Sequence, residues 1–137
     1  MNACVVYFSR TGNTKRFAQA IAKVANCSIF DLASTQTTAL STFDLLILGT
    51  PVEGASPAKE TVAFIENIPT TQSKKVILFC TYRAFGNERT LKKIEKMLEP
   101  KGYQTVLKIS KKGMKPDKDA DFTKELSEVQ TALGKLQ

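Results

Sequence analysis

Three runs in this chain, ACVVYF (Ala3–Phe8), DLLILGT (Asp44–Thr50) and KKVILFCT (Lys74–Thr81), are apolar almost throughout. A strand with one wet face alternates in polarity. A strand with no wet face reads as these do, so each run must be covered on both sides. Helices that cross between parallel strands provide that cover, and helical patterns stand between the runs. Thr14–Val24 places Phe17, Ala18, Ile21 and Val24 on one helical face. Arg89–Glu99 does the same with Leu91, Ile94 and Leu98, leaving Arg89, Lys92, Lys93 and Lys96 for water. Ser56-Pro57 reads as an N-cap with proline at the first helical position, opening a helix to Asn67 with Val62, Phe64 and Ile65 for the core. Cys27–Leu32 predicts a short strand, followed by a Ser/Thr-rich connection to Thr42. Tyr103–Ser110 predicts a more alternating strand that suits a sheet edge, and Phe122, Leu126, Val129 and Leu133 mark a closing helix. Five strands alternating with helices predict an α/β fold with a doubly wound, open parallel sheet and helices on both faces.

Composition narrows the chemistry. The 137 residues are expected to form a single domain spanning 1–137, long enough for a sizeable core. No run approaches a membrane span, and no charged-then-apolar leader opens the chain. Cys4, Cys27 and Cys80 form no CxxC or zinc spacing, which predicts reduced thiols in a cytoplasmic protein. With no histidine and no tryptophan, imidazole metal sites and Ser-His or Cys-His nucleophile pairs are excluded. Any chemistry is expected to come from a bound cofactor. The net charge of +7 is unevenly placed: residues 1–73 hold five basic and five acidic residues, and residues 74–137 hold fifteen and eight. An acidic protein partner, an anionic membrane or nucleic acid would each suit a basic face. Nucleic acid fits least, because no aromatic residues interleave the lysines.

In sheets of this class, ligands sit beyond the carboxyl ends of the strands, at the switch point. Three loops leave strand ends there: Ser9–Thr14, Thr50–Ser56 and Thr81–Glu88. Ser9-Arg10-Thr11-Gly12-Asn13-Thr14 follows the first strand and opens a helix. In this it resembles the flavodoxin family, whose phosphate loop is Ser/Thr-x-Thr-Gly-x-Thr, and the likeness runs over essentially the whole chain. It implies strand order 2-1-3-4-5 and flavin mononucleotide (FMN) as the cofactor. LILGTPVEG and FCTYRAFGNE resemble the family's second and third flavin loops.

The residues themselves support an anion site. The first peptide N–H groups of the helix after Gly12 have no intrahelical partners, and the helix dipole favours negative charge there. Gly12 allows close approach, Ser9, Thr11 and Thr14 offer hydroxyls, Asn13 an amide and Arg10 a charge. Neither GxxxxGK[ST] nor GxGxxG is present, so a phosphate monoester fits better than a nucleoside triphosphate or dinucleotide.

The resemblance further implies that Thr50, Pro51, Val52, Glu53 and Gly54, with Thr81, Tyr82, Arg83, Phe85 and Gly86, hold the isoalloxazine. Tyr82 is the first candidate for stacking and Phe85 the second. Glu53 stands where many relatives carry an aromatic residue, and a carboxylate there would disfavour an anionic reduced flavin. The expected function is electron transfer between redox proteins, with acidic partners suggested by the basic second half. Two alternatives remain open: an FMN-dependent reductase of a small molecule such as a quinone, and a flavin-free binding module.

Overall fold

The computed structural model describes all 137 residues. The strands are β1 (Ala3–Tyr7), β2 (Ser28–Asp31), β3 (Leu45–Glu53), β4 (Ser56–Pro57), β5 (Lys74–Tyr82) and β6 (Tyr103–Lys112). The helices are α1 (Asn13–Ala25), α2 (Lys59–Glu66), α3 (Asn87–Leu98) and α4 (Thr123–Leu136). The main sheet runs β2-β1-β3-β5-β6, parallel throughout, with β4 paired only to β3. Without the two-residue β4, this is the expected 2-1-3-4-5 order.

The register shows why the central runs are apolar on both sides. Ile29, Val5, Ile47, Ile77 and Leu107 form one row across all five parallel strands. Val5, Ile47 and Ile77 pack with Phe17, Ile21 and Val129, under α1 and α4. Their neighbours Cys4, Leu46 and Val76 turn to the opposite face, where Phe64, Ile65, Leu91 and Ile94 bring in α2 and α3. Each buried Leu, Ile or Phe contributes about 1.5–3 kcal/mol, so both layers are needed to hold the sheet. Phe17 is stacked on Phe122 at 5.0 Å and meets the edge of Phe79 at 5.3 Å. Gly49 of β3 leaves the space that the Phe79 ring fills, since a Cβ there would lie 2.1 Å from it.

The expected helix start at Ser56-Pro57 is corrected. These two residues pair antiparallel with Val52 and Glu53, and α2 begins at Lys59. The physical reason is the turn between them. Gly54 (φ 58°) and Ala55 (φ 60°) are both left-handed, as a two-residue type I′ hairpin requires, so the chain doubles back before it can wind. The Thr50 hydroxyl then accepts from the Ala58 N–H at 3.2 Å, just ahead of the helix.

Candidate functional site

β1, β3 and β5 all end on the same side of the sheet, and their three loops converge there. Between them lies a cavity of about 600 Å³. Of the sequence-predicted residues, Arg10, Thr11, Asn13, Pro51, Val52, Glu53, Thr81, Tyr82 and Arg83 line it. Ser9, Gly12 and Thr14 of the first loop, Thr50 and Gly54 of the second and Gly86 of the third are not part of the lining. Phe85 is not among the lining residues and is 76% exposed.

The first loop is built around peptide N–H groups. Gly12 caps α1 with φ 96°, a left-handed conformation that a side chain would strain. The Ser9 hydroxyl accepts from the Gly12 N–H at 3.1 Å and the Lys15 N–H at 3.2 Å. The N–H groups of Thr11, Asn13 and Thr14 have no acceptor within the protein. Unpaired donors at a helix N-terminus, with its positive dipole end, are what a phosphate requires, so the residues present fit a phosphate monoester. The side chains are less free than the motif suggests. Thr14 is buried and its hydroxyl meets that of Thr81 at 2.7 Å, tying the first loop to the third. The Asn13 amide donates to the Met114 carbonyl at 3.1 Å.

Arg10 turns to the second loop. Its Nε donates to Glu53 Oε2 at 2.6 Å, while Nη2 donates to Glu53 Oε1 and Glu60 Oε1, each at 2.9 Å. The guanidinium also lies 4.9 Å from the Phe8 ring centroid. Hydrogen bonding from Arg10 holds the Glu60 carboxyl below its usual range. Thr50 serves a structural role: fully buried, its hydroxyl donates to the Pro51 carbonyl and accepts from Ala58 N–H and the Thr61 hydroxyl. Gly86, at φ 93°, caps α3 and carries the hairpin, since a Cβ on it would lie 2.7 Å from Ala55 Cα.

A fourth wall went unnoticed in the sequence: Gly113, Met114, Lys115 and Pro116, after β6, also line the cavity. The Gly113 N–H donates to the Tyr82 carbonyl at 2.8 Å. Arg16 donates to the Lys115 and Lys118 carbonyls at 2.7 and 2.6 Å. The one signal available was a glycine and a proline bracketing a turn directly beyond a predicted strand.

A flavodoxin domain model matches residues 4–130. The chain belongs to the flavodoxin domain family. Solved structures agree in fold. A two-electron reduced flavodoxin from Megasphaera elsdenii is 25% identical with a TM-score of 0.75, over 97% of this chain and 98% of that one. Flavodoxin 1 from Bacillus cereus is 19% identical with a TM-score of 0.82, and the flavodoxin of Streptococcus pneumoniae TIGR4 is 14% identical with a TM-score of 0.84. Both cover 100% of each chain. No curated sequence matches significantly. Flavodoxin is the type example of ligand binding at the β1/β3 switch point in this strand order. This flavodoxin-like chain is accordingly an FMN-binding electron-transfer protein. FMN, when bound, supplies the redox chemistry, and the α1 amides are the groups that would hold its phosphate. Tyr82, Val52, Pro51 and Met114 offer apolar surface beside them for the ring.

Proposed function

We propose that this single-domain, cytoplasmic oxidoreductase is a carrier that docks with acidic redox proteins. The observation that carries the reading is the third loop. Tyr82 and Arg83 line the cavity, and Arg83, Ala84 and Phe85 are exposed. A carrier needs such a contact point directly beside its cofactor. The acidic character of the partner rests on α3, which starts at that loop. Arg89, Lys92, Lys93 and Lys96 are exposed along it, and none has a carboxylate partner. From Arg89 to Lys96 this stripe runs about 10 Å away from the cavity. Complementary charge of this kind acts chiefly on association rate. The free thiols, with Cys4 and Cys80 buried and each pushed up to about 12 by burial, suit a reducing compartment.

The test compares electron exchange of the FMN-loaded protein with an acidic plant-type ferredoxin and with a basic cytochrome c. Exchange with the acidic protein is expected to slow as salt rises, and to slow further when Arg89 and Lys93 are changed to Glu. Faster exchange with the basic protein at low salt overturns the acidic partner. Saturable quinone turnover driven by NAD(P)H alone overturns the carrier in favour of a reductase.

A further inference from the structure

Glu53 and Glu60 are out of place beside a cavity that takes an anion. Two unpaired carboxylates there would oppose the phosphate and disfavour added negative charge on a flavin ring. Both instead share one guanidinium. Arg10 presents Nε and Nη2 to Glu53 as a two-pronged fork and reaches Glu60 with the same Nη2. The three residues lie far apart in sequence, on the first loop, at the end of β3 and in the first turn of α2. Phe8 lies against the guanidinium on its way across. Nε and both hydrogens of Nη2 are thus committed to the two carboxylates, only Nη1 is left without an acceptor, and Arg10 has no two-pronged fork to offer a phosphate unless it releases one of them.

We propose that Arg10 is a positioning residue: it clamps the Val52–Pro57 hairpin to the phosphate loop and neutralises Glu53 on the cavity wall, and it is not a phosphate ligand. The three side chains together carry a net charge of −1, and without Arg10 they carry −2. Two consequences separate a clamp from a ligand. A clamp supports the cavity wall whether or not the bound flavin carries a phosphate, so its loss weakens FMN and riboflavin alike. A phosphate ligand touches FMN only. A clamp also restrains the hairpin before any flavin binds, which a ligand does not.

The inference rests on the FMN reading, and its test separates the two. Arg10→Gln is compared with wild type for FMN and riboflavin affinity by flavin fluorescence, at about 20 mM and about 500 mM salt. Amide hydrogen exchange is followed in the flavin-free protein. The expected result is a parallel weakening of both flavins by about fivefold at low salt, shrinking at high salt, as a partly exposed ion pair implies. Exchange at Glu53–Ser56 should quicken while that of the central strands stays unchanged, which also shows that the variant is folded. Glu60→Gln, which leaves the Glu53 fork in place, should produce a smaller effect in the same direction on exchange. A loss confined to FMN with unchanged hairpin exchange makes Arg10 a phosphate ligand and overturns the proposal, as does no change in either readout. If wild type binds neither flavin, the FMN reading has failed, and hairpin exchange in the flavin-free protein still decides whether Arg10 is a clamp.

Discussion

The two ends of the cavity are made of different materials. The phosphate loop is a set of peptide N–H groups aimed by one left-handed glycine, and its side chains mostly serve their neighbours. The second and third loops depend on side chains and on fit: an ion-paired hairpin with Ala55 held left-handed, seated on Gly86. A site made of peptide groups tolerates changes of side chain and is sensitive to changes of backbone conformation. A site made by packing is sensitive to both. Two glycines in the packed end make this contrast measurable. Gly86→Ala meets Ala55 and a left-handed backbone at once, whereas Gly54→Ala meets only the backbone term, with nothing within 4 Å of its Cβ. Gly54→Ala should cost about 1 kcal/mol and Gly86→Ala about 3 kcal/mol in urea unfolding. Equal costs would show that the hairpin moves freely off the third loop.

The next effect joins the two ends. Thr14 and Thr81 share a buried hydrogen bond between the phosphate loop and the third loop. Thr14→Val leaves the Thr81 hydroxyl buried and unpaired, so about 2 kcal/mol of stability should be lost. The Thr14→Val, Thr81→Val double variant should lose less than the sum of the two singles, because removing both partners leaves no orphan. Additive losses would mean that the two hydroxyls act independently and the loops are not coupled through them.

The parts that were legible in the sequence are those set by local pattern. The central strands declare themselves because both faces are buried, and the Ser9–Thr14 loop because its six residues are contiguous. The misread parts depend on distant partners. Ser56-Pro57 has the chemistry of a helix start, and only the turn at Gly54-Ala55 and its seat on Gly86 make it a strand. The ion pairs of Arg10 with Glu53 and Glu60, 43 and 50 residues away, were likewise beyond the reach of local pattern, and they are what the proposed clamp role rests on. The wall at Gly113–Pro116 carries no motif of its own in the sequence. It becomes part of the cavity only through Arg16 and Asn13, about a hundred residues earlier. Edge strand β2 was legible as a short strand, yet all four of its residues are exposed.

Ser9→Ala tests the peptide-built end with a smaller change. The hydroxyl satisfies two amides of the first turn, so its loss should lower stability by about 1 kcal/mol, or about 4 °C in melting temperature. FMN affinity should change little if the amides, and not the hydroxyl, hold the phosphate. A loss as large as that of Gly12→Val would mean that the side chains carry the site after all.

Acid separates the two ends most gently. Peptide groups do not titrate in the accessible range, but the Glu60 carboxyl does, and hydrogen bonding from Arg10 keeps it ionised to lower pH than usual. A carboxylate depressed in the folded state contributes stability that is fully present above its unfolded value and is lost as pH falls through the folded one. Asp121, depressed by the Thr123 hydroxyl and amide, adds to the same trend at the start of α4. Between pH 6 and pH 3, roughly the window in which carboxylates protonate, the hairpin should therefore loosen while the first turn of α1 holds. Amide chemical shifts followed through that titration should move at Glu53–Ser56 and stay nearly constant at Gly12–Thr14. Glu60→Gln should remove part of the hairpin's pH dependence and none of the loop's. Matching titration curves at both ends would mean that the two loops open as one unit, and the division between a peptide-built and a packing-built end would lose its physical basis.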